Sequence, residues 1–390
     1  MKRIATGLLV GAVSLSMLAG CSSNSNSNSS SGGTIKIGVA LELSGAVATY
    51  GQDTKSGVEM AVDEINAAGG VNGKKIELVT YDTQSDPAVA TTMATKLTTQ
   101  DKVISIVAPA TSGSYKAISP VANANKVPIV SGSATADGAT QDSSGKPLPY
   151  SFRVCFADSF QGTAMAAFAK DTLNAKTAVI YGDQSSDYAK GLAAAFEKAF
   201  TAGGGTIVDK QAYIAGDTDF SATLTKLKAE QFDVIYMPGY YQEVGLIIKA
   251  ARGLGINVPV LGGDGYDSPT LLELGGAAAL NDVYFTNFYS SLDQDPKIQK
   301  FIADYKAKYN KEPSGFAAMA YDNIYFQVDA IKRATALTGE AVATAMAATK
   351  DFPAITGTLS VDPATHNAIK PAVIIQLKDG VQFKSVKAGA

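Results

Sequence analysis

The chain has no tryptophan, one histidine and two cysteines in 390 residues. A lone histidine, His366, excludes paired-His metal motifs and His–Cys zinc clusters, and it leaves Ser-His-Asp catalysis resting on one residue. That residue lies in the polar stretch "DPATHNA", which reads as a solvated turn. Beyond Cys21 the only cysteine is Cys155, so no intramolecular disulfide is expected even if the chain is exported. Net charge is also small: −3 overall, and −5 once Lys2 and Arg3 leave with a cleaved leader, since two basic residues and no acidic one are removed. No basic stripe is present, which argues against a nucleic acid partner. No second apolar run of membrane-spanning length follows the N-terminal one. No cofactor or metal is expected.

What is present begins with a secretory pattern. Lys2 and Arg3 precede an apolar run from Leu8 to Leu18 and then "LAGC", so residues 1–20 read as a cleaved signal peptide. A cysteine directly after Leu-Ala-Gly resembles the lipobox of bacterial lipoproteins, which implies lipidation of Cys21. Residues 22–33, "SSNSNSNSSSGG", carry no apolar side chain and read with Cys21 as a flexible tether. The expected location is the outer face of the cytoplasmic membrane, reached by export and held by lipid.

From Thr34 onward, the chain is long enough for two domains of ordinary size. Runs rich in β-branched residues, "TIKIGVA" (34–40), "KIELVTY" (75–81), "VISIV" (103–107), "TAVIY" (177–181) and "DVIYM" (233–237), alternate with helical patterns. That alternation predicts an α/β fold with parallel sheets. Val58, Ala61, Val62 and Ile65, then Leu192, Phe196 and Phe200, then Val244, Ile247, Ile248 and Ala251 recur at helical spacing and mark core faces.

An internal match carries more. "NKVPIVSGS" (125–133) aligns with "INVPVLGGD" (256–264), so Ser133 corresponds to Asp264. Upstream, "ISIVAPATS" aligns with "DVIYMPGYY", which sets Ala110-Thr111-Ser112 against Gly239-Tyr240-Tyr241. The expectation is two lobes of similar topology. Ligands of open parallel sheets bind beyond the carboxyl ends of the strands, so two facing lobes would share one cleft. Ser112, Ser133 and Thr135 would line one wall, and Tyr240, Tyr241 and Asp264 the other. Hydroxyls and helix-start amides suit a carboxylate, while a desolvated Asp264 calls for a cation. A zwitterion with a small apolar side chain satisfies both. The loop "SGAVATYG" (44–51) lacks the Gly-Lys-Ser/Thr ending of a phosphate loop, which disfavours nucleotide binding.

Together, "SGAVATYG", "NAAGGVNGKKIELVTYD", "SGSATA", "YAKGL", "GYYQEVG" and "GGDGYDS" resemble the branched-chain amino-acid binding proteins of ABC transporters, of the type I periplasmic-binding-protein fold. The resemblance implies two Rossmann-like lobes joined by three hinge crossovers: 34–154 with 287–364 as lobe 1, and 155–286 with 365–390 as lobe 2. It implies that Ser112 holds the ligand carboxylate through hydroxyl and amide, assisted by the amide of Thr135. The carbonyl of Ser133, the hydroxyl of Thr135 and the carboxylate of Asp264 would take the ammonium. Tyr50, Ala110, Thr111, Tyr188 and one or both of Tyr240 and Tyr241 would border the side chain, with Phe316 and Tyr321 left in the core. Where the family often has Glu, this chain has the shorter Asp264.

The implied protein is a monomeric transport receptor that hands a Leu, Ile or Val class ligand to an ABC permease. A sensor of the same fold, or a receptor for Ala, Thr or an aromatic amino acid, would share these features. An exported enzyme would need a general base beside a nucleophile, and none is evident.

Overall fold

A computed structural model describes residues 33–388; the leader, Cys21 and the tether lie outside the described residues. Five parallel strands, β1 (Ile35–Leu41), β2 (Ile76–Asp82), β3 (Ser105–Val107), β4 (Ile129–Ser131) and β5 (Ser151–Arg153), form a sheet in the order β2-β1-β3-β4-β5. A second sheet contains β6 (Thr177–Asp183), β7 (Thr206–Tyr213), β8 (Val234–Tyr236), β9 (Val260–Gly262) and β10 (Val283–Asn287). These run parallel in the order β10-β9-β8-β6-β7. Read from its first strand, each set of five has the same order, so the two-lobe architecture expected from the repeat is present. β11 (Phe352–Ala354), β12 (Gly357–Val361) and β13 (Ala368–Ile369) form a small antiparallel sheet, and β14 (Ala372–Lys378) and β15 (Val381–Ala388) extend the second sheet antiparallel beside β10.

Side-chain alternation along a strand decides how each layer packs. In β1, Ile35, Ile37, Val39 and Leu41 face the helices Ala48–Ala67 and Gly315–Arg333, burying Val58, Ala61 and Ile324. Ala40 faces the other way, toward Ala94 and Leu97 of Pro87–Thr99 and Ile118 of Ser112–Asn125. In β6, Ala178 and Ile180 meet Met165 of Asp158–Asp171 and Leu192 and Phe196 of Asp187–Ala202. Val179 and Tyr181 meet Val244, Ile247 and Ile248 of Tyr241–Gly253. All three helical stripes predicted as core faces are buried.

The chain passes between the sheets three times, after β5, after β10 and after β13. β10 runs through Asn287 and β13 pairs with β12. His366 corrects the sequence reading. It follows the turn at 363–365, but it is 7% exposed, with its ring stacked on Phe152 at 4.4 Å and Nδ1 near the carbonyls of Leu148 (3.1 Å) and Ser151 (3.3 Å). Burial lowers its pKa. It belongs to the core of lobe 1 and not to a solvated turn.

Candidate functional site: the cleft between the lobes

The register of the strands sets the site. Val39 pairs with Val107 and Val107 with Val130 in the first sheet; Ile180 pairs with Tyr236 and Tyr236 with Leu261 in the second. Three residues beyond each of these pairs lie Glu42 and Asp183, Ala110 and Gly239, and Ser133 and Asp264. Each lobe thus presents three strand ends to the cleft in matching positions, where open sheets leave backbone amides and loop side chains free.

On lobe 1, Glu42 is fully buried and accepts the N–H of Ala110 at Oε2 (2.9 Å) and the N–H (3.0 Å) and hydroxyl (2.8 Å) of Thr111 at Oε1. Burial raises its pKa, and those hydrogen bonds oppose the rise. Helix Ser112–Asn125 starts immediately after. Its first intrahelical bond runs from Tyr115 N–H to Thr111 O (3.0 Å), so the amides of the first turn remain available for an anion. Ser112 Oγ accepts from Ala136 N–H (3.0 Å), which leaves its own hydrogen to donate. Ser133 Oγ donates to Ala110 O (3.0 Å), and Thr135 Oγ1 is buried without a partner.

On lobe 2, Asp264 is 2% exposed and opens a single 3-10 turn, Asp264–Tyr266. Its Oδ1 accepts from Gln161 Nε2 (2.8 Å), which also donates to Asp158 Oδ1 (3.2 Å). Gln161 Oε1 accepts the N–H of Asp264 (3.3 Å) and the hydroxyl of Thr286. Desolvation pushes the Asp264 carboxyl up to about 7, against the hydrogen bonds from Gln161 and Tyr188. Asp158, fully buried with Oδ2 unpartnered, is also raised, first by desolvation and then by the charge of Asp264. Two acids crowded into a dry pocket favour a cation beside them.

Aromatic rings close the remaining sides. Tyr50 stacks on Phe316 (centroids 4.2 Å) and meets Tyr240 (5.7 Å) and Tyr241 (5.0 Å) edge-on; Tyr188 stacks on Tyr240 (5.3 Å). Tyr50 donates across the cleft to Gly265 O, and Tyr188 Oη accepts from Gly265 N–H (2.9 Å). Tyr50 reaches this place because Gly51 lets its helix press on β1's end: a Cβ there would stand 2.1 Å from Glu42 O.

Tyr50, Ala110, Thr111, Ser112, Ser133, Tyr188, Tyr240, Asp264, Gly265 and Phe316 line one enclosed cavity. Eight of the ten residues expected at the site are among them. Thr135 lies just outside, its carbonyl accepting Asp158 N–H (2.9 Å). Tyr241 backs Tyr50 and donates to Ala46 O (3.2 Å) instead of facing the cavity. Phe316, expected in the core, is both buried and part of the lining, whereas Tyr321 lies elsewhere and donates to Glu64 (2.6 Å). Sequence reasoning missed Gln161 and Asp158 as well; the stretch "ADSFQG" carries no turn or repeat signal to mark them. Cys155 is buried, and burial raises its thiol to about 12.

The cavity is tight. The centre of a water molecule has about 10 Å³ of free space in it, about the room of one water.

The family profile described as periplasmic binding protein matches residues 34–382. A Leu/Ile/Val-binding protein of Rhizobium johnstonii is 35% identical over 324 residues, which cover 83% of this chain and 86% of that protein. A leucine-, isoleucine-, valine-, threonine- and alanine-binding protein of Pseudomonas aeruginosa is 32% identical over 330 residues, 84% of this chain and 86% of that one. Among solved structures, a branched-chain amino acid transporter substrate-binding protein of Streptococcus pneumoniae in complex with isoleucine has 42% identity and a TM-score of 0.86, covering 91% of this chain and 99% of its own.

Proposed function

This chain belongs to the periplasmic binding protein family, whose members here are substrate-binding proteins of ABC transporters and not enzymes; from that footing we propose that it captures a small apolar L-amino acid of the Leu, Ile or Val class between its lobes and delivers it to an ABC permease. One observation carries the reading: free amides and hydroxyls on lobe 1 face a buried acid on lobe 2 across a single aromatic-lined cavity.

In this reading the ligand carboxylate sits at the start of helix Ser112–Asn125, held by the Ser112 amide and hydroxyl and the Thr135 amide. Its ammonium faces the Ser133 carbonyl, the Thr135 hydroxyl and Asp264. Tyr50, Ala110, Thr111, Tyr188, Tyr240 and Phe316 enclose the side chain, and Tyr241 supports Tyr50 from behind. The lobes open at the three crossings and close on the ligand, as hinge-bending binders do.

Calorimetry with an aliphatic L-amino acid is expected to show one site, and thermal unfolding a rise in Tm, because a ligand bound only by the folded state stabilises it. If none of the twenty amino acids raises Tm, the ligand class is wrong. The "LAGC" pattern supports a lipid anchor through Cys21 on the outer face of the cytoplasmic membrane. Cys21→Ser should then move the protein from the membrane to the soluble fraction; retention in the membrane would refute the anchor.

A further inference from the structure

Three residues past Asp264, the chain carries a second acid that the ligand contacts do not use. Asp267 follows the turn Asp264–Tyr266 of lobe 2, and its Oδ2 accepts the N–H of Gly315 and, at 2.9 Å, the Nδ2 of Asn287. Gly315 opens helix Gly315–Arg333, which packs on helix Ala48–Ala67 and on β3 and β4 of lobe 1. A helix leaves its first amides unpaired and carries partial positive charge at that end, so a carboxylate is well placed there. Ser314 caps the same turn by accepting from Ala317 N–H (3.4 Å).

The close approach depends on glycine. A Cβ at position 315 would lie 2.4 Å from Asn287 Oδ1 and 2.9 Å from Asp267 Oδ2. The next residue is Phe316, which stacks on Tyr50 and lines the cavity. The acid of one lobe therefore grips the backbone one residue away from an aromatic wall carried by the other.

We infer that Asp267 is a positioning residue for the ligand site: it clamps the first turn of helix Gly315–Arg333 from the opposite lobe, fixes Phe316 against Tyr50, and so shapes the apolar wall that selects the ligand side chain. The selectivity part rests on the amino-acid reading above; the clamp itself is measurable without ligand.

The absence of tryptophan makes Phe316→Trp a single-tryptophan reporter. In that background Asp267→Ala should shift emission to longer wavelength and raise acrylamide quenching, while Asp267→Asn, which keeps an acceptor oxygen for Gly315, should stay close to the parent. With Phe316 intact, Asp267→Ala should speed amide exchange at Gly315 by about tenfold, the loss of one charge-assisted hydrogen bond. Calorimetry should show the leucine-to-alanine affinity ratio changing by roughly fivefold in Asp267→Ala, and no such change when Phe316→Ala is already present, because groups acting through one another are not additive. Unchanged emission together with unchanged exchange overturns the clamp, and an additive cycle overturns its action through Phe316. If the unsubstituted protein binds no amino acid, the ligand class fails while emission and exchange still decide the clamp.

Discussion

The two lobes share a strand order and place corresponding residues at corresponding strand ends, yet they present opposite chemistry. At the first position, Glu42 is long enough to take the amides of Ala110 and Thr111, whereas Asp183 turns back onto Ser185, accepting its N–H (2.8 Å) and hydroxyl. At the second, Ala110-Thr111-Ser112 offers a methyl and hydroxyls where Gly239-Tyr240-Tyr241 offers rings. At the third, Ser133 faces Asp264. A duplicated backbone thus supplies geometry for both walls, and side-chain length and charge decide which wall suits an anion and which a cation. Lobe 2 is also the one extended by β14 and β15, at the edge beside β10 and away from the strand ends that form the cleft.

The largest expected effect comes from cancelling the charge difference at the third position. Asp264→Asn keeps the shape and removes the charge; losing one partner of a buried charge pair costs about 2–5 kcal/mol, so affinity should fall by roughly 30-fold or more. Near-normal calorimetric affinity would move the ammonium contact elsewhere. The same residue predicts a pH dependence. Burial in the closed cleft pushes its carboxyl up to about 7, and a neighbouring ammonium would stabilise the ionised form, so binding near pH 6 should release a proton. Affinity should then rise with pH up to about 7, by no more than about tenfold per unit for one proton. Calorimetry in buffers of different ionisation enthalpy measures this release, and a value of zero at pH 6 would contradict the assignment.

On the opposite wall, Ser112→Ala removes a donor toward the carboxylate, and a hydrogen bond to a charged group contributes about 1.5–3 kcal/mol, or roughly tenfold or more in affinity. A smaller effect than for Asp264→Asn would sharpen the contrast between the walls; no effect would empty lobe 1 of its assigned role.

The second position allows a test on stability alone. A Cβ at Gly239 would stand 1.8 Å from Tyr213 Oη, so Gly239→Ala should destabilise by about 1–3 kcal/mol through overpacking. The matching change on lobe 1, Ala110→Gly, should cost less than about 1 kcal/mol. Equal Tm shifts would mean the two strand ends are less different than their side chains indicate. The smallest effect is expected at the rim, where Lys116 of lobe 1 meets Asp187 of lobe 2 at 3.2 Å with both side chains more than a third exposed. Exposed pairs contribute about 0.2–1 kcal/mol, so Lys116→Ala should weaken binding less than about fivefold, and the difference should vanish in high salt.

Much of this was legible in the residues. The pairing of Ser133 with Asp264, and of Ala110-Thr111-Ser112 with Gly239-Tyr240-Tyr241, holds because each residue sits a fixed three positions beyond a paired strand residue, and strand registers are written in local hydrophobic pattern. Phe316 reads as core because it sits in an apolar helix, and apolar spacing does not distinguish a residue packed on the core from one that also faces a cavity. Gln161 lies 103 residues from Asp264, the partner it bonds. His366 looked solvated because its neighbours are polar; the Phe152 ring that covers it comes from 214 positions earlier in the chain.

By itself, the sequence determined the α/β alternation, the duplicated lobes and which strand ends carry hydroxyls, rings or acid, since those follow from periodicity and offsets within a few residues. The tertiary structure alone decided which of Tyr240 and Tyr241 meets the cavity, how Asp264 is held by Gln161 and crowded by Asp158, and how tightly the cleft is closed. Those depend on desolvation and on contacts between segments more than a hundred residues apart, where no local pattern specifies which groups will share a dry, confined space.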